Sequence, residues 1–102
     1  MPTFERLPHS TLPRFDADWN KLSKEQQDQF KSAAKKFVDD LQRGKGFRAG
    51  LRVKPVRGTP GIWEMTWAND GRATWQYGSE LKTGEAHVIW RRIGSHEVFG
   101  RP

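Results

Sequence analysis

The sequence predicts an α+β domain in which two N-terminal helices pack on one face of a small antiparallel sheet. Three observations lead there. Apolar residues recur at helical spacing only between residues 16 and 42, and Trp-rich alternation of strand type fills residues 62–93. Turn-forming residues separate the strand-like runs. At 102 residues the chain makes a single domain, residues 1–102. Only 34% of it is hydrophobic, so the five Trp and six Phe must supply much of a small core.

The elements follow in order. Pro2, Pro8 and Pro13 rule out a long helix near the N-terminus, and a short extra strand is expected at Thr3–Leu7. Asp16 is expected to cap a helical turn over Asp16–Leu22, with Trp19 and Leu22 inward. Ser23-x-x-Gln26 is a capping box that opens a helix over residues 24–42. Phe30, Ala33, Ala34, Phe37, Val38 and Leu41 form its apolar stripe, and Gly44 stops it. A basic loop, Gly44–Gly50, leads into a short strand-like segment, Leu51–Val56, and a turn at Arg57–Gly61.

In the strand Ile62–Trp67, one face carries Trp63, Met65 and Trp67 and the other Ile62, Glu64 and Thr66. Asn69-Asp70-Gly71 signals a hairpin into the strand Arg72–Tyr77. Ser79–Glu85 is a polar loop, and the last strand, His87–Ile93, ends at Gly94 before a tail with Val98 and Phe99. Three or four antiparallel strands result, plus the N-terminal one.

The formal charge of +6 and pI of about 10.1 call for a polyanionic partner. From Arg43 to Ile62 there are six cations (Arg43, Lys45, Arg48, Arg52, Lys54, Arg57) and no acid, directly before the Trp strands. The same run also reads as a plain solvated surface. With no cysteine there is no disulfide framework and no zinc–thiolate site. His9, His87 and His96 are too dispersed for a local metal motif, so no cofactor is expected. The lack of a long apolar stretch argues against a membrane span or signal peptide and leads to the expectation of a cytoplasmic protein.

RNA cleavage without a metal needs a base for the 2′-hydroxyl, an acid for the leaving 5′-oxygen and cations for the phosphoryl charge. Glu64, Arg72, Arg91 or Arg92, and His96 offer those groups on adjacent strands. Each has a structural alternative. Glu64 also suits an ion pair with Arg72 or Arg91 across the sheet. Strand alternation sends Arg91 and Arg92 to opposite faces, so at most one joins a shared surface. His87 begins a strand, whereas His96 follows Gly94-Ser95 at a strand exit, where an acid or base can move. Most of Trp63, Trp67, Trp75 and Trp90 are expected in the core, with no more than one or two left to stack on bases.

Gly50–Trp67, Gly71-Arg72-Ala-Thr-Trp75 and Val88-Ile-Trp-Arg-Arg-Ile-Gly-Ser-His96 together resemble the RelE/ParE superfamily of toxins, in its RelE/YoeB/HigB-like branch. Asp18–Leu22 and the helix ending at Gly44 are similar to that family's helical hairpin, and the resemblance spans about residues 15–99. It implies the toxin of a type II toxin–antitoxin pair, which cleaves mRNA in the ribosomal A site without metal. A cognate antitoxin, mRNA on the ribosome and contacts to 16S rRNA are the partners so implied; a membrane is not. By position, Arg72 matches the family's phosphate-contacting arginine and His96 its strand-exit Arg or His. Lys54 and Arg57 fall where the family places basic or acid–base residues. Glu64, Arg72 and His96 are therefore the catalytic candidates, and Arg52, Lys54, Arg57 and Arg91 the RNA-binding ones. The chain departs from the pattern at Glu64 and Thr66, where relatives carry lysines, and at Phe99, where they often carry a tyrosine. Two other readings use the same features: a ParE-like gyrase inhibitor that acts by protein binding, and a non-toxic RNA-binding module.

Overall fold

The computed structural model describes residues 9–78 and 87–102. Strands β1 (His9–Thr11), β2 (Lys54–Pro55), β3 (Trp63–Thr66), β4 (Arg72–Tyr77) and β5 (Val88–Gly94) form one sheet in the order β1-β5-β4-β3-β2. Helices α1 (Pro13–Lys21) and α2 (Lys24–Arg43) cover one face. All neighbours are antiparallel except β1 and β5, which run parallel. The α+β architecture expected from the sequence is present, with one parallel edge strand. The strand expected at Thr3–Leu7 and the loop Ser79–Glu85 lie outside the described residues.

Local chemistry sets the helix ends. Pro13 opens α1, since its missing N–H costs nothing in the first turn. The helix thus begins before Asp16, which is not the cap; instead Asp16 accepts a 2.7 Å hydrogen bond from the Thr11 hydroxyl. The capping box of α2 is formed in both directions, Ser23 N–H to Gln26 at 2.8 Å and Gln26 N–H to Ser23 at 3.1 Å. Gly44 closes α2 at φ +69°, a left-handed conformation that glycine adopts without strain.

The core lies between the helices and the sheet. Phe15, Phe30 and Phe37 meet Met65, Trp75 and Trp90, all at most 2% exposed. Phe37 stands edge-on to Trp75 at 5.0 Å and Phe30 to Trp90 at 5.3 Å. Trp67, Trp75 and Trp90 are therefore packing residues; Trp63, half-buried, stacks on Trp75.

Two segments depart from the sequence expectation. Leu51–Val56 is not a continuous strand: a 3-10 turn at Ala49–Leu51 leads to Arg52 at φ +47°, and only Lys54–Pro55 pair with β3. Pro55 has no N–H to extend the ladder, which restricts β2 to the sheet edge. In β5 the register shifts by one: Trp75 pairs with Trp90 but Thr74 with Arg92, leaving Arg91 as a bulge. That breaks the alternation expected to separate Arg91 from Arg92. Both guanidinium groups instead reach successive backbone carbonyls, Arg91 that of Pro102 and Arg92 that of Arg101.

The edge of β5 beyond Trp90 is finished by a side chain. The Asp18 carboxylate accepts the Ile93 N–H at 3.1 Å and binds Arg92 through two bonds of 2.6 and 3.1 Å. Asp18 raises the pKa of Arg92 and holds α1 against the sheet. Near the start of β5, Ser10 and His87 meet at 2.9 Å and tie β1 down, which gives His87 a structural role.

Candidate nucleic-acid interface

The sheet face turned away from the helices carries the polar residues of β2, β3 and β4. Register puts Lys54, Glu64 and Thr74 in one rung. Lys54 Nζ lies 3.7 Å from Glu64 Oε1, the Lys54 side chain 67% exposed and that of Glu64 only 10%. Glu64 thus pairs with Lys54, directly opposite it on β2, and not with Arg72 or Arg91. Thr74 is fully buried beside this pair and its hydroxyl has no partner among the described residues.

Arg72 lies two residues before Thr74 and so is a diagonal neighbour of Glu64, about 7–8 Å away. Its Nη1 donates to the carbonyls of Ala68, Asn69 and Gly71 at 3.3, 3.2 and 2.9 Å. The turn thereby fixes one corner of the guanidinium. Gly71 makes that turn feasible through space, not through an unusual φ. A Cβ there would sit 2.6 Å from the Trp67 ring, so the backbone lies directly on the indole.

Arg72 pairs with Gly94 of β5. Asp70 precedes Arg72 by two residues and His96 follows Gly94 by two, so both leave the sheet from the same rung. Their side chains meet: His96 Nδ1 is 2.9 Å from Asp70 Oδ1, with 70% and 68% exposure. The hydrogen bond from His96 holds the Asp70 carboxyl below the usual carboxylate range. With Nδ1 engaged, Nε2 is the nitrogen presented to a substrate. Asp70 is the residue that sequence reading missed as a site residue, because it served as a hairpin signal. A signal existed, since the β3–β4–β5 meander puts residues equidistant from the Arg72–Gly94 rung side by side.

The other cations spread out. Arg91 binds Gln76, two same-face steps (about 13 Å) along β4 from Arg72, and is thus separated from His96. Arg52 and Arg57 are exposed on either side of β2. Arg48 is bound by Asp40 through its backbone N–H and its guanidinium, at 2.8–2.9 Å. Arg48 pulls the pKa of Asp40, itself 6% exposed, down to about 2. The run without acids in sequence therefore acquires Asp40 and Glu64 in space. Among the described residues no cluster of acidic or histidine side chains suits a metal, and no helix is long and apolar enough to cross a membrane.

No family model matches the sequence, and no curated protein matches it. The structure does match others. The E. coli DinJ–YafQ toxin–antitoxin complex contains a chain that is 16% identical, with a TM-score of 0.60 over 90% of this chain and 94% of that one. The YoeB dimer from Staphylococcus aureus matches at 10% identity and a TM-score of 0.64, covering 89% and 98%. The RelB–RelE antitoxin–toxin complex from Methanococcus jannaschii matches at 11% identity and 0.57, covering 90% and 95%. The chain has the RelE-like toxin fold. On this RelE-like sheet, Asp70, Arg72 and His96 are gathered at one end of the face turned away from the helices, with Lys54 and Glu64 one rung inward.

Proposed function

We propose that this protein is the toxin of a type II toxin–antitoxin pair and an endoribonuclease that cuts mRNA in the ribosomal A site. The observation that carries this reading is the His96–Asp70 pair beside Arg72 on a RelE-like sheet. A base takes the 2′-hydroxyl proton, the 2′-oxygen bonds to phosphorus, and the P–O5′ bond breaks. An acid then protonates the departing 5′-oxygen. The products are a 2′,3′-cyclic phosphate and a 5′-hydroxyl.

His96 Nε2 carries out one of these proton transfers, with Asp70 fixing the ring through Nδ1. Arg72, anchored at one corner by the turn, offers the rest of its fork to the phosphoryl oxygens. Lys54 places a second positive charge on the neighbouring rung, and the Lys54–Glu64 pair is the candidate for the second proton transfer. Arg52 and Arg57 contact flanking phosphates. A cognate antitoxin neutralises the toxin by covering residues 52–72 and His96, the basic surface of a chain with net charge +6.

Toeprinting on translating ribosomes tests the reading. Wild-type protein should produce A-site cuts, and His96→Ala, which changes only an exposed side chain, should not. An mRNA with a 2′-deoxy residue at the cut position should resist cleavage, because the attacking oxygen is gone. Intact mRNA together with inhibited DNA supercoiling would instead identify a gyrase inhibitor.

A further inference from the structure

A cleft of about 440 Å³ lies where α2 meets the β3–β4 turn, lined by Lys36, Arg48, Arg52, Thr66, Asn69 and Arg72 among others. Its four cations come from separate segments: Lys36 from α2, Arg48 and Arg52 from either side of the 3-10 turn, and Arg72 from β4. No carboxylate is among its lining residues. Asp40 already neutralises Arg48, and the other three cations repel one another unless an anion sits among them.

Two of these groups are already held in place. Asp40 fixes Arg48, and the turn carbonyls hold Arg72. Lys36 and Arg52 are exposed and pair with no carboxylate among the described residues. Arg52 is also the one non-glycine residue at positive φ among the described residues, at +47°. A left-handed arginine is strained and persists only where surrounding structure imposes it. Here the conformation sets Arg52 at the cleft.

The lining discriminates between classes of partner. Its large apolar members, Leu51 and Trp67, are 4% and 9% exposed, so little apolar surface is offered to an amphipathic protein helix. What is offered is positive charge with the polar groups of Thr66 and Asn69. We propose that this cleft binds the phosphodiester backbone of a single RNA strand, flanking the position where the bond is cut, with Arg72 shared between the two. The proposal rests on the reading of RNA as substrate and extends the contacts of Arg52 and Arg72 into a cleft that adds Lys36 of α2.

The test is equilibrium binding of a fluorescent single-stranded 2′-O-methyl RNA, which keeps the phosphates but cannot be cut, across a salt series. For single strands each phosphate contact contributes about 0.7 to the slope of log K against log salt. Lys36→Gln/Arg52→Gln should bind more weakly and with a slope shallower by about 1.4. Arg52→Gly, which relaxes the backbone while removing the cation, should lose about half of that slope change and melt no lower than wild type. Arg14→Gln/Lys24→Gln removes the same charge from exposed positions outside the cleft and should keep the wild-type slope. Equal slopes for the cleft and control variants, or no change in either, would overturn the proposal. So would a cleft variant that binds RNA normally but no longer binds an antitoxin. Wild-type protein that binds no RNA in this assay and cuts none on ribosomes would bring down the RNA reading itself, a different failure from an unchanged cleft variant.

Discussion

Nδ1 of His96 lies 2.9 Å from Oδ1 of Asp70, a residue 26 positions earlier in the chain, and both side chains face solvent. Because the contact is exposed, it contributes little to folding; its consequence is orientation of the imidazole. Asp70→Asn should preserve the melting temperature to within the effect of about ±0.5 kcal/mol usual for surface changes. It should lower cleavage, by less than the 10²–10⁴-fold loss, in order of magnitude, expected for His96→Ala. Activity of Asp70→Asn equal to wild type would show that the pair does not orient the reacting ring.

A second expectation concerns Gly71. A methyl group there would lie 2.6 Å from two Trp67 ring carbons, so either the indole or the Asn69–Gly71 turn must move. Gly71→Ala should destabilise by roughly 1–3 kcal/mol and change Trp fluorescence. It should also reduce cleavage, because the same turn carries Asp70 and anchors Arg72. Gly100→Ala, with no atom within 4 Å of the new methyl and no positive φ, is the control and should fold normally.

Acid should expose the contribution of Asp40. Its carboxyl titrates at about 2 in the folded chain, below the ordinary 3.8, because Arg48 binds its charged form. A lowered folded pKa means the stabilisation is complete above the ordinary value and disappears as pH falls through about 2. Wild-type melting temperature should therefore drop between roughly pH 4 and 2. Asp40→Asn should start lower and lose part of that acid dependence. Parallel curves for the two proteins would mean that the bond contributes nothing to stability.

These residues also show which features the sequence could reveal. Ser23, Gln26 and Gly44 act on backbone within a few positions, so the boundaries of α2 were legible. The strand faces around Met65 and Ala73 followed from simple alternation. The β5 bulge could not be read that way, and it brings Arg91 and Arg92 to neighbouring carbonyls. Asp18 spans 74 residues to Arg92, and Asp40 meets Arg48 only because the loop after Gly44 folds back. Arg72 and His96 were legible as candidates by residue type and strand position. Lys54 was legible as a cation, but its pairing with Glu64 and that of Asp70 with His96 emerge from the register of the assembled sheet.

Arg72 and lysine should not be interchangeable. One guanidinium nitrogen is occupied by three carbonyls while the fork remains available for phosphate, and an ammonium group cannot divide its bonds in that planar arrangement. Arg72→Ala should lower cleavage on the order of 10²–10³-fold. Arg72→Lys should recover RNA affinity more than rate. Full recovery of rate by lysine would reduce the role of Arg72 to bulk charge.

The Lys54–Glu64 pair separates two roles that the sequence left open for Glu64. Lys54 is 67% exposed and can touch RNA, whereas Glu64 is 10% exposed and lies beneath it on the neighbouring strand. If Glu64 acts by holding Lys54, Lys54→Met should cost more rate than Glu64→Gln. Glu64→Gln should retain the fold, since it removes a buried charge while keeping the shape of the side chain. The pH profile of single-turnover cleavage distinguishes the alternative. A Glu64→Gln variant that loses the acidic limb of the profile, with a greater rate loss than Lys54→Met, would make Glu64 the proton acceptor and Lys54 its electrostatic support.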